Sequence, residues 1–177
     1  MDLRVAKTKN RIVSAFLALR DKLMPEKIKV KDICRVAMIN KTTFYKHYND
    51  SLELSNEISE LAINGVVSAF TSKDKIFENP GEYISGLLEA LEVNSKNLMV
   101  VFRGNHNELS ARLADRLIAF HRDSLVSSEQ EIRLSFAIGG FLRVVNDYIF
   151  ARKKYDRALL SEYVTEIISA LPPVAEK

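Results

Sequence analysis

The chain has one cysteine, four prolines and six glycines in 177 residues, and each shortage narrows what it can be. Cys34 has no second cysteine with which to close an internal disulfide, which fits a reducing compartment. So few prolines and glycines leave long stretches free to be helical. No apolar run reaches the length that spans a bilayer, because the greasiest stretch, Phe136 to Phe150, is interrupted by Arg143, Asn146 and Asp147. The opening Met-Asp-Leu-Arg-Val has no apolar signal-peptide core, so a cytoplasmic, nucleoid-associated location and no membrane partner are expected. Also missing are a glycine-rich phosphate loop, His-Glu-x-x-His, Cys-x-x-Cys and a nucleophile elbow. His47, His106 and His121 lack metal-ligand spacing. No catalytic set, metal site or cofactor is therefore expected.

The charge is unevenly spread. The first fifty residues carry twelve lysines or arginines against five acids, a surplus of seven, while the remainder carries a net deficit of four. A basic head on an acidic body suits a polyanion-binding module joined to something else, though a solvated basic surface would look the same.

Helical periodicity recurs along the chain, with no convincing period-2 strand, which predicts an all-α fold of about nine helices. Ile12, Phe16, Leu19 and Leu23 form one stripe of a first helix, Val5 to Leu23, ended by Pro25. A short helix over Lys31 to Ala37 and another over Lys41 to Tyr48, capped by Asn40, follow. A long helix from Ser51 carries Leu54, Ile58, Leu61, Ile63, Val67 and Phe70, and Gly65 within it suggests a bend or a close crossing. Asn79-Pro80 opens the next helix, Ser95 to Arg103 forms another closed by Gly104, and Asn107 is the expected cap after that. Ser128 and Glu131 read as a capping box for a helix running to Arg152. Asp156 caps the last helix, closed by Pro172-Pro173. Two domains are expected, 1–50 and 51–177.

The informative segment is Lys31 to Tyr48, whose helix, three-residue turn and second helix match helix-turn-helix spacing. Ile33, Ala37, Ile39, Phe44 and Tyr48 can form its small core. Lys41, Thr42, Thr43, Tyr45, Lys46 and His47 then lie outward, a face of cations, hydroxyls, a phenol and an imidazole with no carboxylate. DNA phosphate requires donors and disfavours anions, so that absence has meaning. The two threonines are placed to meet base edges, and Tyr45, Lys46 and His47 to clamp phosphate. The competing reading is a short amphipathic helix with a wet polar face.

This segment resembles the N-terminal domain of the TetR family of bacterial regulators. The first helix, with Arg11, Ile12, Ala15, Phe16 and Leu19, and the string Thr43-Phe44-Tyr45-Lys46-His47-Tyr48 carry the likeness, which covers about Arg11 to Leu54. It implies a homodimeric transcriptional repressor whose three N-terminal helices bind a double-stranded DNA operator. It also implies that the last two helices pair across the dimer, and that the body encloses a pocket for a small apolar effector. Lys31 and Ser51 join the expected DNA contacts. Two residues depart from the family pattern. Met38 stands where a glycine is usual, so the turn is expected to do without φ > 0 freedom. Ser51 stands where a phosphate-contacting lysine is common.

In the body, the helix after Ser128 is apolar on nearly every side and needs two partners, one of which a symmetric dimer would supply. Phe136, Gly139, Gly140, Val144, Tyr163 and Ile167 are the candidate interface, against packing of the two glycines inside the monomer. Candidate pocket residues are Arg103, His106, His121, Arg143, Asn146 and Asp147, with Phe70, Phe102, Phe120, Phe141 and Tyr148 as walls. Arg143 and Asp147, four residues apart, also suit a simple ion pair. A different class of reading keeps the architecture but makes the chain a helical protein-interaction coregulator with vestigial DNA binding.

Overall fold

A computed structural model describes residues 3–70, 76–122, 127–150 and 155–171. Their regular structure is entirely helical: α1 (Leu3–Arg20), α2 (Val30–Ala37), α3 (Lys41–Tyr45), α4 (Ser51–Ala69), α5 (Pro80–Val93), α6 (Ser95–Val101), α7 (His106–His121), α8 (Ser128–Ile149) and α9 (Arg157–Ser169). A single 3₁₀ turn, Pro25–Lys27, links α1 to α2. No helix among the described residues is long and apolar enough to cross a membrane.

The chain packs as two compact units. The first ends at Ala62 and takes in Asn97–Gly104; the second holds Ile63–Lys96 and resumes at Asn105. The sequence suggested a division at residue 50, whereas packing divides the chain inside α4 and again inside α6.

In the first unit α1 packs on α2, and α2 on α3. Ile12, Phe16, Ile33, Ala37, Phe44, Tyr48 and Leu54 form its core. The stripe predicted on α1 ends early. Leu23 lies beyond the helix and is exposed, and the position one turn after Phe16 is held by a buried arginine, Arg20, at 1% exposure. Its Nη1 donates to the Leu23 carbonyl at 2.8 Å, and its Nη2 to the carbonyls of Val101 and Arg103, each at 2.8 Å. These bonds fold the chain after α1 and the end of α6 around one guanidinium, and so compensate the cost of burying it. Gly104 closes the segment at φ 75°, and a Cβ there would meet the Met24 sulfur at 2.6 Å.

In the second unit α7 packs on α8, and α5 on α8 and α9. Tyr83, Leu87, Leu91, Leu113, Leu134, Ile138, Phe141 and Leu160 are among its buried residues. Gly65 marks a close crossing: a Cβ there would lie 2.7 Å from the Asn94 side-chain oxygen at the end of α5. On α4 the expected Leu54, Ile58 and Ile63 are buried, together with Ser59, Ala62 and Val66, whereas the expected Leu61 faces solvent.

Two predicted caps shift. α7 begins at His106 after Asn105, so Asn107 lies inside the helix rather than before it. The cap of α8 is Ser127, whose hydroxyl accepts the Gln130 N–H at 3.3 Å; the box is one residue earlier than Ser128–Glu131, with Gln130 in the third position. Asp156 caps α9 as expected, accepting from Ala158 and Leu159 at 2.8 and 3.1 Å. The predicted end of α8 at Arg152 and the Pro172-Pro173 stop lie outside the described residues.

Candidate nucleic-acid interface

The candidate face begins with the turn between α2 and α3. The N–H of Met38 reaches the Arg35 carbonyl at 3.3 Å, and that of Ile39 the Cys34 carbonyl at 3.0 Å. This is the Schellman ending of a helix, which needs a left-handed residue at its first position. Met38 supplies it, with φ 51° and ψ 50°. The expectation that this turn would avoid positive φ is overturned: the motif's two hydrogen bonds impose the conformation, and the side chain that clashes least is not the one present. Arg11 reinforces the turn by donating from Nη2 to the carbonyls of Ala37 and, at 3.0 Å, Met38. Its cation sits where the end of α2 presents unpaired carbonyls and partial negative charge.

α3 then starts at Lys41, with Asn40 accepting the Thr43 N–H at 2.7 Å. The helix is shorter than the sequence suggested, ending at Tyr45, and the chain turns through Lys46 and His47. Phe44 points inward, its ring 5.8 Å from that of buried Tyr48. Lys41, Thr42, Tyr45 and Lys46 are exposed, and Thr43 and His47 half-buried. Lys31, at the start of α2, is exposed as well. The outward set therefore offers three ammonium groups, hydroxyls and an imidazole. Cys34 is buried on α2; burial pushes the thiol up, against a smaller opposing effect of Lys41.

The Tyr48 hydroxyl donates to Glu57 at 3.3 Å, and Lys9 binds the same carboxylate oxygen at 2.9 Å. Burial, followed by the charge of Glu57, pushes the phenol well above its usual range. This triad ties α1 and α4 to the segment that follows α3. The sequence reading missed it, along with the roles of Arg11 and Arg20. Arg20 at the spacing of an apolar stripe was the one signal for its burial.

The start of α4 is closed by its own carboxylate. Asp50 accepts the N–H groups of Leu52 and Glu53, each at 2.8 Å. Glu53 in turn accepts the Asn49 backbone and side-chain N–H groups at 2.7 and 2.8 Å. Half-buried Ser51 lies between these acids.

The candidate pocket residues of the body do not converge. Phe102 and Arg103 belong to the first unit, where Arg103 donates to the Asp21 carbonyl and pairs with its carboxylate at 3.5 Å. In the second unit, Phe70, Tyr83, Phe120 and His121 form one aromatic group, with the His121 Nε2 2.9 Å from the Tyr83 hydroxyl. Asn146 joins a separate group, donating to the His106 carbonyl at 2.8 Å and to Ser110 at 2.9 Å. A cavity of about 10 Å³ lies between Asn146, Ser110, Leu113 and Leu142, far below the several hundred that a small-molecule site occupies. Buried Phe141 is in the core, Arg143 pairs with Asp147 at 2.9 Å, and Tyr148 donates to Glu92 at 2.8 Å.

The candidate interface residues lie differently. Ile132 and Phe136 are each 69% exposed on α8, and Leu159, Tyr163 and Ile167 are exposed on α9. Among the described residues nothing lies within 4 Å of a Cβ placed on Gly139 or Gly140, and both glycines are exposed. Val144 is half-buried.

A helix-turn-helix unit followed by a helical body is the fold of the TetR-type regulators, and this chain has that fold. A TetR/AcrR-family transcriptional regulator from Aquifex aeolicus VF5 is 24% identical, with a TM-score of 0.59 over 91% of this chain and 97% of that one. The fatty acid degradation regulator FadR from Bacillus halodurans is 14% identical, with a TM-score of 0.56 over 93% and 95% of the two chains. The dihydroxyacetone kinase operon activator DhaS is 18% identical, with a TM-score of 0.50 over 91% and 92%. No protein-family model matches the chain, and no curated protein matches it in sequence.

Proposed function

We propose that this protein is a DNA-binding transcriptional regulator, a homodimeric repressor whose affinity for a double-stranded operator is altered by a small apolar effector. The observation that carries the reading is the exposed, carboxylate-free set Lys41, Thr42, Tyr45 and Lys46 on a capped helix braced from behind by Phe44 and Tyr48. In this reading Thr42 and Thr43 meet base edges in the major groove, while Lys31, Tyr45, Lys46 and His47 hold phosphates. Ile132, Phe136, Tyr163 and Ile167 are covered by the same face of a second copy, which brings two reading helices to one duplex. The effector part of the reading rests on the family pattern and on Asn146, whose side-chain oxygen is buried without a partner among the described residues. The cavity beside it has to open for any effector to enter.

Footprinting on the DNA flanking the protein's own gene tests the reading. Wild type should protect a two-fold-related site, and the double variant Tyr45→Ala, Lys46→Ala should lose protection while still dimerising. Equal protection by the variant rejects the face.

One observation favours a protein-interaction coregulator instead: Asp50 and Glu53 flank Ser51 at the position where the family commonly has a lysine. Absence of any footprint at low salt, with dimerisation intact, selects that second reading.

A further inference from the structure

The first unit carries an open groove of about 750 Å³ between α1 and the end of α2. Its walls combine two chemistries. Leu3, Ala6, Val36 and Met38 supply an apolar strip, and Lys7, Asn10, Arg11 and Ser14 supply donors. No carboxylate lines it among the described residues. Arg11 is committed to the carbonyls of the turn, which leaves the exposed Lys7, Asn10 and Ser14 as the donors presented to a ligand. The groove's Met38 edge belongs to the turn that leads into Asn40 and α3.

Met38 is the unusual element. It holds a left-handed conformation that glycine adopts freely, yet its side chain is 83% exposed and gives no packing in return. Strain held at an exposed position points to a contact made elsewhere.

We propose that this groove takes the sugar–phosphate edge of a duplex strand, with Lys7, Asn10 and Ser14 on phosphate and the Met38 thioether on the apolar face of a deoxyribose. A DNA backbone alternates anionic phosphates with C–H faces, so it matches a wall that is basic and apolar by turns. An acidic peptide would satisfy Lys7 equally, but a groove edge formed by the turn directly before α3 favours the strand whose bases that helix meets. The proposal rests on the DNA-binding reading and enlarges its footprint by one contact strip on α1.

The test compares wild type, Met38→Gly, Lys7→Ala with Asn10→Ala, and Tyr45→Ala with Lys46→Ala. Each full-length variant is titrated with a labelled random-sequence 30-base-pair duplex across a salt series. Met38→Gly should melt about 2–4 °C higher, because the left-handed strain is relieved. It should nevertheless bind DNA several-fold more weakly, a divergence that a purely structural Met38 does not produce. The α1 pair should bind about three- to tenfold more weakly, with the log–log salt slope reduced by about 0.9 for the lost cation. Wild-type affinity and slope in both groove variants, with binding lost only in the Tyr45/Lys46 pair, overturn the groove and leave it to a protein ligand. Unaltered binding in all three also overturns the proposal and rejects the reading face with it.

Discussion

The two units of this molecule present opposite surfaces. The first exposes polar groups on a short helix and hides a charged one, Arg20, in its interior. The second exposes large apolar side chains, Ile132, Phe136 and Ile167, over a conventional core. Each departure concerns solvent. A buried guanidinium is tolerated because three carbonyls replace its water, whereas an exposed phenylalanine has nothing in place of burial. The first unit therefore satisfies its buried charge from within, whereas the second leaves an apolar face on α8 and α9 exposed.

The comparison breaks most sharply at Arg20. Arg20→Met keeps the length and the apolar contacts but leaves the carbonyls of Leu23, Val101 and Arg103 without their donor. A loss of about 3–5 kcal/mol is expected, because each buried acceptor left unpaired costs about 1–3 kcal/mol. Urea unfolding measures it, and a change under 1 kcal/mol would show that the guanidinium is not what closes this part of the unit.

The opposite treatment suits the second unit. Phe136→Glu places a charge on a face that is already exposed, so the monomer should be stable to within about 0.5 kcal/mol. If a second copy covers the face, dimer dissociation should rise by a factor of about 30 or more, the cost of a desolvated unpaired charge. Sedimentation velocity across a concentration series separates the cases, and an unchanged dimer moves the interface elsewhere.

A matched pair of caps sharpens the contrast. Asn40→Ala and Asp156→Ala each remove an N-cap, of α3 and of α9, and each should cost about 1 kcal/mol. Their functional effects should diverge. Loss at Asn40 frays the reading helix and weakens DNA binding, whereas loss at Asp156 leaves duplex affinity as it was. Equal effects on binding, read by fluorescence anisotropy, would detach α3 from recognition.

How much of this was legible in the sequence follows from the range of the interactions. The helix-turn-helix was readable because its determinants lie within eighteen residues: Asn40 as cap, Ala37 and Phe44 inward, Lys41 and Tyr45 outward. The stripe on α1 was misread because an arginine occupies a core position, and its bonds to Val101 and Arg103, eighty-one and eighty-three residues away, are invisible to local pattern. Met38 was misread for a related reason, since a glycine rule built on conformational preference cannot see the hydrogen bonds that enforce φ 51°. The body's apolar face was legible as an excess of greasy positions on α8. The proposed pocket was not, because grouping polar residues by type says nothing about which of them the fold brings together.

The smallest expected effect is at Ser51, and it is a gain. Asp50 occupies the N–H groups of Leu52 and Glu53, so the start of α4 meets any nearby phosphate with a carboxylate already in place. Ser51→Lys adds a cation one residue away without disturbing that cap. If α4 begins beside the duplex, affinity should rise a few-fold and the salt slope steepen by about 0.9, one more counterion released. Stability should barely change, because the position is half-buried and the new side chain can extend its head into solvent. A slope that steepens without a gain in affinity would mean that Asp50 and Glu53 absorb the new charge. A slope that does not move would place the start of α4 away from the phosphates altogether, leaving the first unit to hold DNA by α2, α3 and the groove on α1.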